Sequence, residues 1–136
     1  MDAEILNAKS RDELNEISGK IIEYSINVHK ELGPGMLEGA YEICLMHELV
    51  RNGLSVERQV LLPIQYQGIK LDDGYRIDLL VENSVIIELK AIDRLLPVHE
   101  AQLLSYLRMS ELRVGLLINF NVRLLRDGVR RVVNNF

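Results

Sequence analysis

The seventeen residues "YRIDLLVENSVIIELKA", Tyr75 to Ala91, decide the fold. Side chains of an extended strand alternate between two faces, so Ile77, Leu79 and Val81 form one apolar set and Val85, Ile87, Leu89 and Ala91 form another. The polar interruption Glu82, Asn83 and Ser84 is short enough for an antiparallel hairpin. A two-residue loop would set Asp78 against Leu89 and mix the faces, whereas a three-residue loop pairs Val81 with Val85 and keeps both apolar sets on one side. The second register also brings Asp78 directly opposite Glu88, with Lys90 one side-chain step further along the same face. A strand pair that reads as interior therefore carries facing carboxylates and a lysine where burial is expensive.

Outward from this hairpin the periodicity changes. Leu14, Ile17, Ile21, Tyr24, Ile26 and Val28 recur at helical spacing and predict a helix from Asp12 to about Leu32, stopped by "GPG" at Gly33 to Gly35. A second helix is expected from about Glu38 to Arg51, with Tyr41, Leu45, Met46 and Leu49 inward and Asn52-Gly53 as its stop. "VERQVLLPIQYQG", Val56 to Gly68, reads as a strand with a break or an edge position at Pro63, because proline cannot donate to a ladder. Beyond the hairpin follow a helix from about Val98 to Ser110, a buried strand in "RVGLLINF" and a strand-like piece near Val129 to Val133. No repeat, low-complexity tract or long linker divides the chain, so residues 1–136 are expected to form one α/β domain, a mixed central sheet flanked by helices in the order ααβββαββ.

Composition narrows the function. Of 136 residues 48% are hydrophobic and 26% charged, as in a globular domain able to bury a core. No apolar run approaches the roughly 20 residues that cross a bilayer, and "MDAEILNAKSRDELNE" is too polar and acidic for a signal peptide, so a cytoplasmic protein without membrane contact is expected. The single cysteine, Cys44, lies among apolar neighbours and reads as a buried, inert thiol. A net charge of −4 excludes a surface that is one nucleic-acid-binding field. The charge is uneven, however: residues 1–60 hold 6 Lys/Arg against 11 Asp/Glu, and residues 61–136 hold 10 against 9. Arg123, Arg126, Arg130 and Arg131 gather near the C-terminus, as a solvated segment or as a rim facing phosphate.

Like charges on facing strands are unfavourable unless something positive offsets them. An Asp and a Glu offer hard oxygen ligands that suit Mg²⁺, which usually takes one or two protein carboxylates and keeps several waters. Lys90 beside such a site would hold an attacking water or stabilise charge developing on a phosphate. Taken alone, Asp78, Glu88 and Lys90 also fit a solvent-facing sheet surface with cross-strand charges. In "HEAQLLSYLRM" Gln102 and Tyr106 are four apart and share a helix face, with His99 one turn earlier. That stripe suits a helix donating hydrogen bonds into a site, or an ordinary amphipathic helix with an interfacial tyrosine. In "GPGMLEGAY" Gly35, Glu38 and Tyr41 are spaced by three, and Glu38 stands where its carboxylate also complements a helix dipole.

Together these residues resemble a known set. Gly35, Glu38 and Tyr41 match the pattern that names the GxxExxY proteins, a family assigned to the restriction-endonuclease-like PD-(D/E)XK superfamily. Asp78, Glu88 and Lys90 match the superfamily's Asp…Glu-x-Lys signature, and Gln102 with Tyr106 matches the Gln-x-x-x-Tyr motif of its RecB-like nucleases. Ile77 stands where the signature's name has proline. The resemblance runs from about Ile21 to Asn134 and implies a Mg²⁺-dependent nuclease, with Mn²⁺ as a substitute, acting on nucleic acid, DNA rather than RNA. It implies a metal held by Asp78, Glu88 and the carbonyl between Glu88 and Lys90, with Glu38 completing the acidic cluster. Lys90 would handle the nucleophilic water, and Gln102 and Tyr106 would orient the site or the phosphate. With no appended DNA-binding domain in the sequence, a long footprint would require a homodimer or a partner protein. The alternative from another class is a nuclease-fold protein that binds or assembles on nucleic acid without cleaving it.

Overall fold

The computed structural model describes residues 8–136, the side chains of residues 72 and 73 apart, so the first seven residues of the polar N-terminal stretch lie outside it. Ser10 begins the first helix: its hydroxyl accepts from the Glu13 N–H while the Glu13 carboxylate accepts from the Ser10 N–H, a reciprocal cap. Helix α1 spans Arg11–Leu32 and α2 spans Glu38–Arg51. Strands β1 (Val56–Tyr66), β2 (Ile69–Val81) and β3 (Val85–Lys90) follow, then α3 (Pro97–Ser110), β4 (Val114–Asn119), a 3-10 turn at Leu125–Gly128 and β5 (Val129–Val133). The order is the expected ααβββαββ.

The strands lie side by side as β1-β2-β3-β4-β5, antiparallel throughout except for the parallel pair β3 and β4, which α3 connects. A parallel pair needs a crossover, and α3 supplies it. Helices α1 and α2 cover one face of the sheet, burying Ile21, Tyr41, Leu45 and Leu49 against Leu79, Val85, Ile87, Leu116 and Phe120. Helix α3 covers the other, with Leu103, Tyr106 and Leu107 against Ile77, Ile86 and Leu117. Both faces of β3 are therefore buried, which is why its sequence reads as nearly continuous apolar residues. Close packing of α3 needs Gly115 on β4, since a Cβ there would stand 2.8 Å from the Leu103 side chain. Cys44 is half-buried against the first core rather than fully enclosed.

The hairpin has the expected register. Val81 pairs with Val85 across Glu82, Asn83 and Ser84, and Leu80 with Ile86. Glu82 and Asn83 are left-handed, with φ of 53° and 50°. The Glu82 carbonyl accepts from Ser84 Oγ at 2.7 Å and Lys9 Nζ at 2.9 Å, which helps to hold this uncommon turn. Pro63 lies on the edge strand and coincides with a register shift between Leu62 and Ile64, so both readings of that proline apply.

One face assignment differs from expectation. Ile77 was expected beside Leu79 and Val81, yet it packs with Ile86 and Tyr106 under α3. Val60 joins Ile77 there, while Val56 stays with Leu79 and Val81 on the α1–α2 side. The left-handed backbone of Gln59, with φ of 54°, and the missing rungs at Asp78 turn the β1–β2 ribbon over between these pairs. Simple alternation fails at that step.

Candidate active site

The ladder between β2 and β3 ends at Leu79 and Ile87, one step before Asp78 and Glu88. From there side chains replace backbone rungs. The Asp78 N–H donates to Glu88 Oε1 at 3.2 Å, and the Leu89 N–H donates to Asp78 Oδ2 at 2.8 Å. Each carboxylate thus satisfies a backbone donor that the parting strands leave without a partner, and the two strands fork around the pair. Opposite Asp78 on β1 lies Gln59, between the pairs Arg58–Leu79 and Val60–Ile77. Its left-handed φ costs on the order of 1–3 kcal/mol inside a strand, so contacts must compensate. The Gln59 amide donates to Glu42 Oε1 at 2.8 Å and reaches Asp78 Oδ1 at 3.4 Å. Glu42, only 5% exposed, also accepts from Arg58 Nε at 2.6 Å.

Electrostatics mark the fork as overloaded with negative charge. Glu88 is 6% exposed. Burial, and then the neighbouring Asp78 carboxylate, push its pKa up to about 8, against the opposing pull of the Asp78 N–H and Lys90. Asp78 is raised by burial and further by Glu42, while the Leu89 N–H and Lys90 pull it down. Glu38 is raised by partial burial and by Asp78, with Lys90 opposing. Asp78 thus raises both Glu38 and Glu88, and Lys90 opposes the shift of all three carboxylates. Among the described residues the Lys90 ammonium makes no ion pair within 4.0 Å, and it stays available to a ligand.

Glu38 reaches this position through the turn before α2. Gly35 adopts φ of 98°, a conformation that costs glycine little and other residues much. The buried Tyr41 closes the turn: its hydroxyl donates to the Gly33 carbonyl at 2.5 Å and accepts from the Met36 N–H at 3.0 Å. Its ring stacks on Phe120 with centroids 4.5 Å apart. The glycine bends, the tyrosine anchors, and the glutamate between them starts α2 within electrostatic reach of Asp78 and Lys90.

From the other face α3 contributes Tyr106, 4% exposed, whose pKa rises to about 12 through burial and then the Glu88 carboxylate. Gln102, one turn earlier and half-buried, lines a surface groove together with Tyr106. His99 instead caps α3, with Nδ1 accepting from the Leu96 N–H at 2.9 Å. The backbone after Lys90 is pinned by buried Asn119, which accepts from the Ile92 N–H at 3.1 Å and donates to the Ile92 carbonyl at 2.9 Å.

Asp78 and Glu88 therefore meet, Lys90 and Glu38 lie within their electrostatic reach, and Tyr106 borders them with Gln102 beside it. The arginine group disperses. Arg130 and Arg131 project from opposite faces of β5, Arg130 within 3.9 Å of Glu100 on α3 and Arg131 bonded to Asn15 on α1 at 2.6 Å. Glu42, Gln59 and Asn119 were not anticipated from the sequence. Glu42 had a signal, standing one turn after Glu38 on the same helix face; the other two reach the site through partners distant in the chain.

The donor chemistry fits a hard divalent cation, since two facing carboxylates held in partial dryness gain most from a compact positive charge. Among the described residues, no three acidic, histidine or cysteine side chains are close enough together to hold a metal as a ready-made cage.

Residues 15–132 match the PD-(D/E)XK nuclease superfamily. Searches of curated proteins and of solved structures gave no match. With the match covering most of its length, the chain belongs to the PD-(D/E)XK nuclease superfamily, whose members are generally nucleases.

Proposed function

We propose that this PD-(D/E)XK chain, with its Gly35-Glu38-Tyr41 turn of the GxxExxY kind, is a Mg²⁺-dependent nuclease that hydrolyses phosphodiester bonds in nucleic acid, DNA in preference to RNA. The observation that carries the reading is the fork at Asp78 and Glu88, where two carboxylates are forced together in partial burial beside Lys90. A stability-driven sequence has little reason to keep that arrangement, because unpaired buried charge is costly.

Asp78 and Glu88 would hold the cation, Mn²⁺ serving in place of Mg²⁺, with Glu38 approaching from α2. A bound divalent ion supplies Lewis-acid polarisation of the phosphate and a more acidic water. The chain's own groups do the rest. The Lys90 Nζ donates to the attacking water or to a non-bridging phosphate oxygen and offsets the charge that grows there in the transition state. The Tyr106 hydroxyl stays protonated at neutral pH and serves as a donor. Gln102 adds an amide donor from the same helix face. Gln59 and Glu42 keep Asp78 from swinging out of line.

The test is a cleavage assay of the full chain on circular, linear and structured DNA and RNA, with Mg²⁺, Mn²⁺ and EDTA, beside Glu88→Gln and Lys90→Ala. Cleavage that needs the metal and falls at least a hundredfold in both variants is expected. The second reading, a module that binds nucleic acid without cutting, draws on the lack of a three-ligand metal cage among the described residues. Nucleic-acid binding by the wild type with no cleavage of any substrate would favour it. Either activity fits a cytoplasmic protein, and the small contact surface of one chain fits a homodimer or a partner protein.

A further inference from the structure

Between β2 and α3 lies a groove of about 540 Å³, lined by Tyr75, Val98, Gln102, Ser105, Tyr106 and Met109 among others. Tyr75 is 44% exposed, and its ring leans against that of Tyr106 at 5.5 Å between centroids and 48° between planes. One ring is thus wedged by the other and leaves an aromatic surface open to solvent. Among the described residues the Gln102 amide and the Tyr106 hydroxyl make no hydrogen bond within the chain, so their donors and acceptors face outward unspent. Tyr106 lines this groove and also feels the Glu88 and Asp78 carboxylates, so one side chain is shared between the groove and the fork.

We infer that this groove receives an unpaired nucleobase next to the scissile phosphate, stacked on Tyr75 and hydrogen-bonded by Gln102, and that the substrate is single-stranded nucleic acid. The inference rests on the nuclease reading and gives it a substrate class. Three properties select an unpaired base over a phosphate or a duplex. The wall is aromatic and aliphatic, as a base face requires. Its polar groups are the Gln102 amide, the Ser105 and tyrosine hydroxyls and the His99 imidazole, which read base edges, with no lysine or arginine among the lining residues. The chain has a net charge of −4, so attraction to the dense phosphates of a duplex is weak and stacking must carry more of the affinity. A base inside a duplex presents no free face to Tyr75.

The experiment measures anisotropy of a fluorescent 12-nucleotide strand with the full chain in Ca²⁺, in place of Mg²⁺, so that binding is read with cleavage suppressed. The strands are single-stranded DNA, single-stranded RNA, an abasic DNA of the same length and a blunt duplex. Cleavage in Mg²⁺ is measured in parallel. Wild type is expected to bind the base-bearing single strands at least tenfold more tightly than the abasic strand or the duplex. Tyr75→Ala is expected to lose about tenfold in affinity and Tyr75→Phe to keep it, since stacking needs the ring and not the hydroxyl. In cleavage, Tyr75→Ala should raise KM with little change in kcat. Equal affinity for abasic and base-bearing strands, or an unchanged Tyr75→Ala, overturns the base subsite. Base-dependent binding without cleavage leaves the subsite standing and removes the nuclease reading, and cleavage indifferent to Tyr75 does the reverse.

Discussion

Glu88 concentrates the conflict between folding and chemistry. In the folded chain it holds its proton up to about pH 8, whereas its ordinary value is 4.5. Between those values the folded state binds a proton that the unfolded state has released, so stability falls as pH rises through this window. Each unit of difference corresponds to about 1.4 kcal/mol, and the upward shifts of Asp78 and Glu38 act in the same direction. Melting of the metal-free chain is therefore expected at a higher temperature at pH 5 than at pH 8, by several degrees. Millimolar Mg²⁺ should recover most of the loss at pH 8, where the carboxylates are free to bind it, and little at pH 5. Glu88→Gln should flatten the pH dependence and remove the Mg²⁺ response. A metal-free melting temperature that climbs from pH 5 to pH 8 would contradict the assignment.

At the scale of elements, the turn before α2 is a lever on Glu38. Tyr41→Phe keeps the stack on Phe120 and removes the hydrogen bonds to Gly33 and Met36. A loss of about 1–3 kcal/mol is expected in urea unfolding, the cost of leaving those backbone groups without their partner. Cleavage should fall further than that stability loss explains, because the turn that sets the start of α2, and with it Glu38, would loosen. The β2–β3 hairpin was legible in the sequence because a period of two and a three-residue loop leave one register that keeps its faces unmixed. The first two helices were legible for similar reasons, each stopped at or next to a glycine, whereas α3 opens at Pro97 and ends at left-handed Glu111. The turnover of the β1–β2 ribbon was not, since a glutamine in a strand carries no sign that its φ will be positive. Gln59 takes that conformation because Glu42 and Asp78, 17 and 19 residues away, both accept from its amide. Arg130 and Arg131 are adjacent in sequence but opposed in the strand, so of the two readings of the arginine group the solvated one describes them, each making its own exposed contact.

Across the whole molecule, the site and the main tether of the chain's ends lie at opposite ends of the sheet. Strands β3 and β4 run parallel, with Glu88 and Lys90 toward the end of β3 and Arg113 just before the start of β4. At that far end the Phe136 ring meets three guanidinium groups, those of Arg11 and Arg131 each at 4.7 Å and that of Arg113 at 5.4 Å. The ring thereby ties α1 to both β4 and β5, and Arg113 adds hydrogen bonds to the carbonyls of Lys9 and Phe136. Cation–π contacts of this partly exposed kind contribute roughly 0.5–1 kcal/mol each. Phe136→Ala should therefore cost about 1–3 kcal/mol in urea unfolding and lower the melting temperature at every pH alike. Because among the described residues no group at the fork makes a hydrogen bond, ion pair or ring contact with this end, kcat, the Mg²⁺ dependence and the pH profile should remain those of wild type at temperatures where the variant is folded. A drop in kcat below the unfolding transition would mean that the far end of the sheet constrains the carboxylate fork, and that the two ends do not act independently.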